Sequence, residues 1–163
     1  MRIVPEGEQG LVSRFGKYQF TKEPGLVKIN RYLLRWIYPT VRFTESLQLV
    51  DTKIQVIKLP HQICSTKDNR KVYLTPVLYY RIVDAYKATF MVGSLRNALE
   101  QRVQTTLEHI LRGRTQETLL GGRDCMVDIC NHIIVDMESD VASWGVKIEE
   151  ILIKEFSLKD ASI

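Results

Sequence analysis

Residues 139–158, SDVASWGVKIEEILIKEFSL, decide how this chain is read. A helix runs to Trp144 and Gly145 stops it, since glycine enters the left-handed conformation of a helix end without steric cost. Beyond it, apolar residues come in spaced pairs: Val146 and Ile148, Ile151 and Ile153, Phe156 and Leu158. Members of a pair lie two apart, so a strand keeps both on one face. Glu149-Glu150 and Lys154-Glu155 fill the gaps, and each gap shifts the phase of the alternation. Such shifts predict a strand interrupted twice by bulges or bends.

Upstream the period is helical. Asp124 is positioned to cap a long helix whose apolar stripe is Met126, Cys130, Ile133, Met137, Val141 and Trp144. Ser94 is positioned to cap another, with Leu95, Leu99, Val103, Leu107 and Leu111 in four-residue steps, until Gly113 ends it. Arg96 and Glu100, and Glu108 and Arg112, are spaced to pair on its outer side. Between the helices, Thr115–Leu120 reads as a short helical turn stopped by Gly121-Gly122.

The first half of the chain reads as β structure. Residues 8–20 predict two short strands or a bent hairpin, Glu23-Pro24-Gly25 a turn, and Leu26–Ile29 a further strand. Residues 40–59 alternate as one half-buried antiparallel strand or a pair, ended by Pro60. Gln62–Thr66 is another strand, and Lys67-Asp68-Asn69 a hairpin turn. Residues 71–83, KVYLTPVLYYRIV, form the strongest β run; Pro76 within it marks an edge or bulge. The fold class is therefore α+β: a mostly antiparallel curved sheet, two long helices against one face, and a C-terminal strand, in a single domain over residues 1–163.

Composition narrows the function classes. At 163 residues and 45% hydrophobic, the chain has enough material for one real core. The net charge of +4 is mild, and the basic residues are interleaved with acids rather than gathered in a stripe, which argues against nucleic acid. Three cysteines without paired spacing point to reduced thiols in an intracellular compartment. No run approaches the roughly 20 apolar residues of a membrane span, and no signal peptide is visible.

Catalytic patterns are sparse. His61, His109 and His132 are scattered with no partners at metal-ligand spacing, so neither a metal nor a cofactor is expected. Ser13, Ser46 and Ser65 lack a nucleophile-elbow or triad context, and Gly121-Gly122 lacks the continuation of a phosphate loop. Cys125 and Cys130, five apart on one helix, read as core thiols, and Asp136, Glu138 and Asp140 as a solvated face. The most suggestive patch is Arg31, Tyr32, Leu33, Leu34, Arg35, Trp36, Ile37 and Tyr38, between two strands. Its cations suit lipid phosphates and its amphipathic rings the headgroup layer; the alternative is that Leu33, Leu34 and Ile37 cover the sheet.

The order of elements and several local motifs resemble the SPFH (Band 7, stomatin/prohibitin) domain over nearly the whole chain. The opening Val4–Gly10 with Arg14-Phe15-Gly16-Lys17, the Glu23–Leu26 turn and the Ser65–Asn69 hairpin are similar to that family's. So are Val77–Ile82, Asp84–Ala88, Gln104–Leu107 and Trp144–Glu149, with the stomatin-like branch the nearest. Leu119–Asp124 departs from the pattern. The resemblance implies a membrane scaffold without catalysis of its own, at the cytoplasmic face of a membrane. Its implied partners are itself, as a dimer or larger, lipids of the membrane surface, and membrane proteins such as channels or proteases. Self-association is expected through exposed apolar members of Trp144, Val146, Ile148, Ile151, Ile153, Phe156 and Leu158, or through the Asp124–Trp144 helix. Neither a transmembrane anchor nor a C-terminal coiled coil is expected within residues 1–163. A soluble interaction module that caps full-length stomatin-like assemblies is the alternative.

Overall fold

A computed structural model describes residues 2–28, 45–119 and 123–159. The chain begins with β1 (Arg2–Val4), β2 (Glu8–Arg14), β3 (Lys17–Lys22) and β4 (Gly25–Val27). It continues through β5 (Glu45–Asp51), β6 (Gln55–Lys58), β7 (Gln62–Ser65) and β8 (Lys71–Ile82). Then come α1 (Ala85–Phe90), α2 (Leu95–Arg112), α3 (Gln116–Leu119), α4 (Arg123–Ser143) and β9 (Val146–Lys159). All described strand pairs are antiparallel.

The amino-terminal part is built on β2, which lies between β3 and β5. Phe15 (φ 50°) and Gly16 (φ 78°) form the two-residue turn from β2 to β3. Two positive φ values give the twist that a tight hairpin needs. The β1–β4 ribbon packs Val4 and Val27 with Val12 and Leu47 into a small separate core.

The larger sheet has β8 as its spine. Strands β6 and β7 share one edge of it in tandem, and β9 runs along the whole of the other. Alternate β8 residues Val72, Leu74, Leu78, Tyr80 and Ile82 join the main core. Helix α2 adds Leu99, Val103, Leu107 and Leu111, and α4 adds Ile129, Ile133, Met137 and Val141. Each large aliphatic side chain buried there contributes about 1.5–3 kcal/mol through removal of apolar area from water. The β8–β9 register shifts beside Pro76, whose carbonyl faces the opposite edge of β8 and accepts from the Leu59 N–H at 3.1 Å.

Tyr18 on β3 stacks against Tyr86 on α1, ring centroids 4.3 Å apart, and so ties the two parts together. Gln9 Oε1 adds a bond from the Ala85 N–H at 3.4 Å.

Several local expectations are corrected. The six-residue α1 has no counterpart in the sequence reading; the Asp84 carboxylate caps it, accepting from the N–H groups of Tyr86 (3.0 Å) and Lys87 (3.2 Å). Asp124 lies inside the first turn of α4, which starts at Arg123, rather than capping it. Ser94 occupies the α2 cap position, but its side chain makes no capping bond. Arg96 and Glu100 pair at 2.9 Å, whereas Glu108 and Arg112 form no ion pair with each other among the described residues.

Candidate functional site

Strand β9 carries the anticipated double interruption. Its register with β8 shifts between Tyr79 and Tyr80, leaving Glu149 as the extra residue, and again between Leu74 and Pro76, where Lys154-Glu155 faces Thr75. Between the bulges, Glu150, Ile151, Leu152 and Ile153 stand in unbroken register with Tyr79, Leu78, Val77 and Pro76. Alternation turns Ile151 inward and sends Glu150, Leu152 and Lys154 outward. Ile151 is buried and Leu152 is 39% exposed.

The expected contact residues therefore divide. Val146 and Ile151 are in the main core, because the spaced pairs are what the strand turns toward the helices. Trp144, Ile148, Ile153 and Phe156 are half-buried against that core, and Leu158 pairs in register with Val72. The sequence reading missed Leu152, although its place midway between Ile151 and Ile153 signalled an outward direction.

On its far side from β8, β9 pairs with no described strand. Beside it, Met126, Val127, Cys130, Asn131 and Ile134 of α4 and residues 149–154 line a groove of about 500 Å³. Val127 is 51% exposed at this groove. A second cleft of about 410 Å³ continues past Ile134 to Glu138, Gly145 and Lys147. Burial, reinforced by the nearby Glu150 carboxylate, pushes the Cys130 thiol pKa up.

A second surface lies on the β1–β4 ribbon. Ile3 and Leu26 are register partners, 68% and 55% exposed, with Arg2 and Lys28 beside them in the chain. Residues 31–38, with Trp36 and its arginines, lie outside the described residues.

The polar groups that could serve catalysis are dispersed. Thr75 Oγ1 lies 2.8 Å from His61 Nδ1 and donates to Glu155 Oε2 at 3.2 Å, in the open at the second bulge. His132 Nδ1 contacts the Asp128 carbonyl 2.7 Å away on its own helix. His109 shares a cleft between α2 and α4 with Arg102, Thr105, Thr106 and Asp136. Cys64 is buried, its pKa pushed up to about 11 by burial and then by Glu108. Among the described residues no group of three or more His, Cys, Asp or Glu could hold a metal ion.

The sequence pattern of the SPFH domain / Band 7 family matches residues 2–162. The chain belongs to the SPFH/Band 7 family. Within it, a stomatin homolog of Pyrococcus horikoshii is 31% identical over 158 residues, covering 97% of this chain and 54% of the relative. Stomatin-like protein 2, mitochondrial, of Homo sapiens is 31% identical over 154 residues, 94% of this chain and 39% of its own length. An uncharacterized protein of Archaeoglobus fulgidus is 31% identical over 160 residues, 98% of this chain and 59% of its own. The chain thus spans about half the length of the curated relatives it matches. The SPFH assignment agrees with the antiparallel α+β architecture closed by a C-terminal strand. No helix among the described residues is long and apolar enough to cross a membrane.

Proposed function

We propose that this SPFH domain is a scaffold module that attaches peripherally to a membrane, self-associates, and organises or regulates membrane proteins, without catalysis of its own. The observation that carries the reading is the family match over residues 2–162, joined to a 14-residue outer strand whose far edge pairs with no described strand. A protein whose work is contact needs open strand edges and apolar patches more than a cleft of convergent titratable groups.

Membrane contact is assigned to the β1–β4 ribbon and to the segment that follows it. The exposed Ile3–Leu26 pair supplies apolar area, Arg2 and Lys28 supply charge for lipid phosphates, and the chain passes from Lys28 toward Arg31, Arg35 and Trp36. One such face binds weakly; several copies on one surface bind firmly by multivalency. The cytoplasmic face, and channels or proteases as clients, belong to the same proposal.

Liposome flotation tests it. The chain should float with phosphatidylserine-rich vesicles, and less well as salt screens the attraction. Trp36→Ala with Arg35→Ala, or Ile3→Ser with Leu26→Ser, should stay at the bottom of the gradient. A wild-type chain that never floats would refute membrane contact by this domain and leave a soluble module that binds other stomatin-like assemblies.

A further inference from the structure

The five residues Glu150-Ile151-Leu152-Ile153-Lys154 are chemically symmetric about their centre. Leu152 is flanked by two isoleucines, and those by one acid and one base. Reversing the direction of the strand leaves the apolar pattern unchanged and exchanges the charges. Two antiparallel copies centred on Leu152 therefore complement each other.

We propose that β9 pairs antiparallel with β9 of a second copy across a two-fold axis at Leu152. This rests on the self-association part of the function proposed above and specifies its register. Leu152 then faces the partner's Leu152, Ile151 faces the partner's Ile153, and Glu150 faces the partner's Lys154, twice by symmetry. The outward row of β9 meets its counterpart on the same face of a continuous sheet, and the inward row continues the core.

Three features favour this occupant. The edge of β9 away from β8 pairs with no described strand, so the N–H and C=O groups it turns outward are a template for another strand; the Ile153 N–H, turned toward the Cys130 thiol of α4, is one that the pairing takes over. Neither Glu150 nor Lys154 forms an ion pair among the described residues, whereas the neighbouring Glu149 is taken by Arg81 at 2.7 Å. The two α4 helices come to flank the joint, where the exposed Val127 can be covered.

Other registers are worse. An odd shift sets the outward row of one copy against the inward row of the other. Moving the axis to Glu150 or to Lys154 opposes like charges, and moving it to Ile151 or Ile153 sets Leu152 against a charge. The bulges at Glu149 and at Lys154-Glu155 bound the straight stretch Glu150–Ile153, with Lys154 at its margin.

Sedimentation of the whole chain with charge-swapped variants tests the register. Glu150→Lys alone and Lys154→Glu alone each create two like-charge pairs, and each should weaken the dimer by about tenfold to a hundredfold. The double variant Glu150→Lys/Lys154→Glu restores opposite charges and should return to near wild-type affinity. Leu152→Cys should crosslink to its own copy in air, because it sits on the axis. Lys147→Cys, far from the axis, should not; the native thiols Cys64, Cys125 and Cys130 are buried.

A wild-type chain that stays monomeric at every concentration overturns self-association itself and this register with it. A dimer indifferent to both single reversals, with no crosslink at Leu152→Cys, overturns the register and leaves self-association standing. Weakened single variants, a recovered double variant and a crosslink at Leu152→Cys support the pairing as drawn.

Discussion

Replacing Gly145 with alanine isolates the joint between α4 and β9. Gly145 has φ +72°, and an added Cβ would lie 2.6 Å from the Asp84 carbonyl oxygen, 2.8 Å from Asp84 Cβ and 2.9 Å from Lys87 Cβ. Its own carbonyl accepts from the N–H groups of Val83 and Asp84, both at 2.9 Å, so the neighbours cannot retreat without loss. The left-handed backbone costs alanine about 1 kcal/mol. The displaced α1 cap adds about 1–3 kcal/mol of overpacking, for a total of about 2–4 kcal/mol. Two further glycines separate the contributions. Gly16 has φ +78° but open space around it, so Gly16→Ala should cost only the backbone part, about 1 kcal/mol. Gly93 also has open space and no positive φ, so Gly93→Ala should be neutral or stabilising by about 0.4–1 kcal/mol. Urea titration followed by circular dichroism reads all three. With a slope of about 2 kcal/mol per molar, the Gly145→Ala midpoint should fall by about 1–2 M. A Gly145→Ala midpoint no lower than that of Gly16→Ala would refute the reasoning, because the contact with Asp84 would then carry no energy.

Leu78→Ala removes a fully buried side chain from the central strand and should cost about 2–5 kcal/mol in the same titration. The Cys64 thiol, raised from its ordinary 9.0 to about 11, keeps its proton in the folded chain after the unfolded chain has lost it. Stability should therefore fall as pH rises from 9 toward 11, and Cys64→Ala should flatten that slope in pH-dependent melting. Burial of Tyr80 works in the same direction, so a remainder of the slope should persist. Arg102 on α2 and Asp140 on α4 meet at 2.6 Å with both side chains over a third exposed. A double-mutant cycle should give a coupling of about 0.2–1 kcal/mol that shrinks with added salt.

Elements held by local periodicity are legible in the sequence. The α2 stripe from Leu99 to Leu111 is buried as its four-residue spacing requires, and the two bulges of β9 fall where the apolar pairs change phase. What stayed hidden depends on residues distant in the chain. Helix α1 has only six residues and lies against Gly145, some sixty positions away, so periodicity has too little length to reveal it. The strands form separate hydrogen-bonded sheets, a partition decided by pairings such as Leu11 with Gln48 that no local pattern announces. At the candidate site, alternation separated the two faces of β9 but not which edge lacked a neighbour. The apolar residues of β9 thus read as contact candidates, although Val146 and Ile151 are core. Glu108 and Arg112 had helical spacing for a pair, yet both bear on Cys64 with opposite sign instead.

The late arrival of β9 has a consequence for biosynthesis. Thr75 and Glu155, neighbours across the second bulge, are separated by 80 residues of chain. A ribosome adding about 5–20 residues per second takes about 4–16 s to cover that distance. Throughout that interval the apolar strand 71–82 has one flank unsealed while the helices that will cover its face are still being made. Closing so long a loop also slows folding of the finished chain, since its entropy is lost before the pairing repays it. Pro76 breaks the longest apolar window of that strand, as gatekeeper residues do in segments that must wait exposed. This domain should accordingly lean on chaperones between the synthesis of its spine and the docking of its last strand.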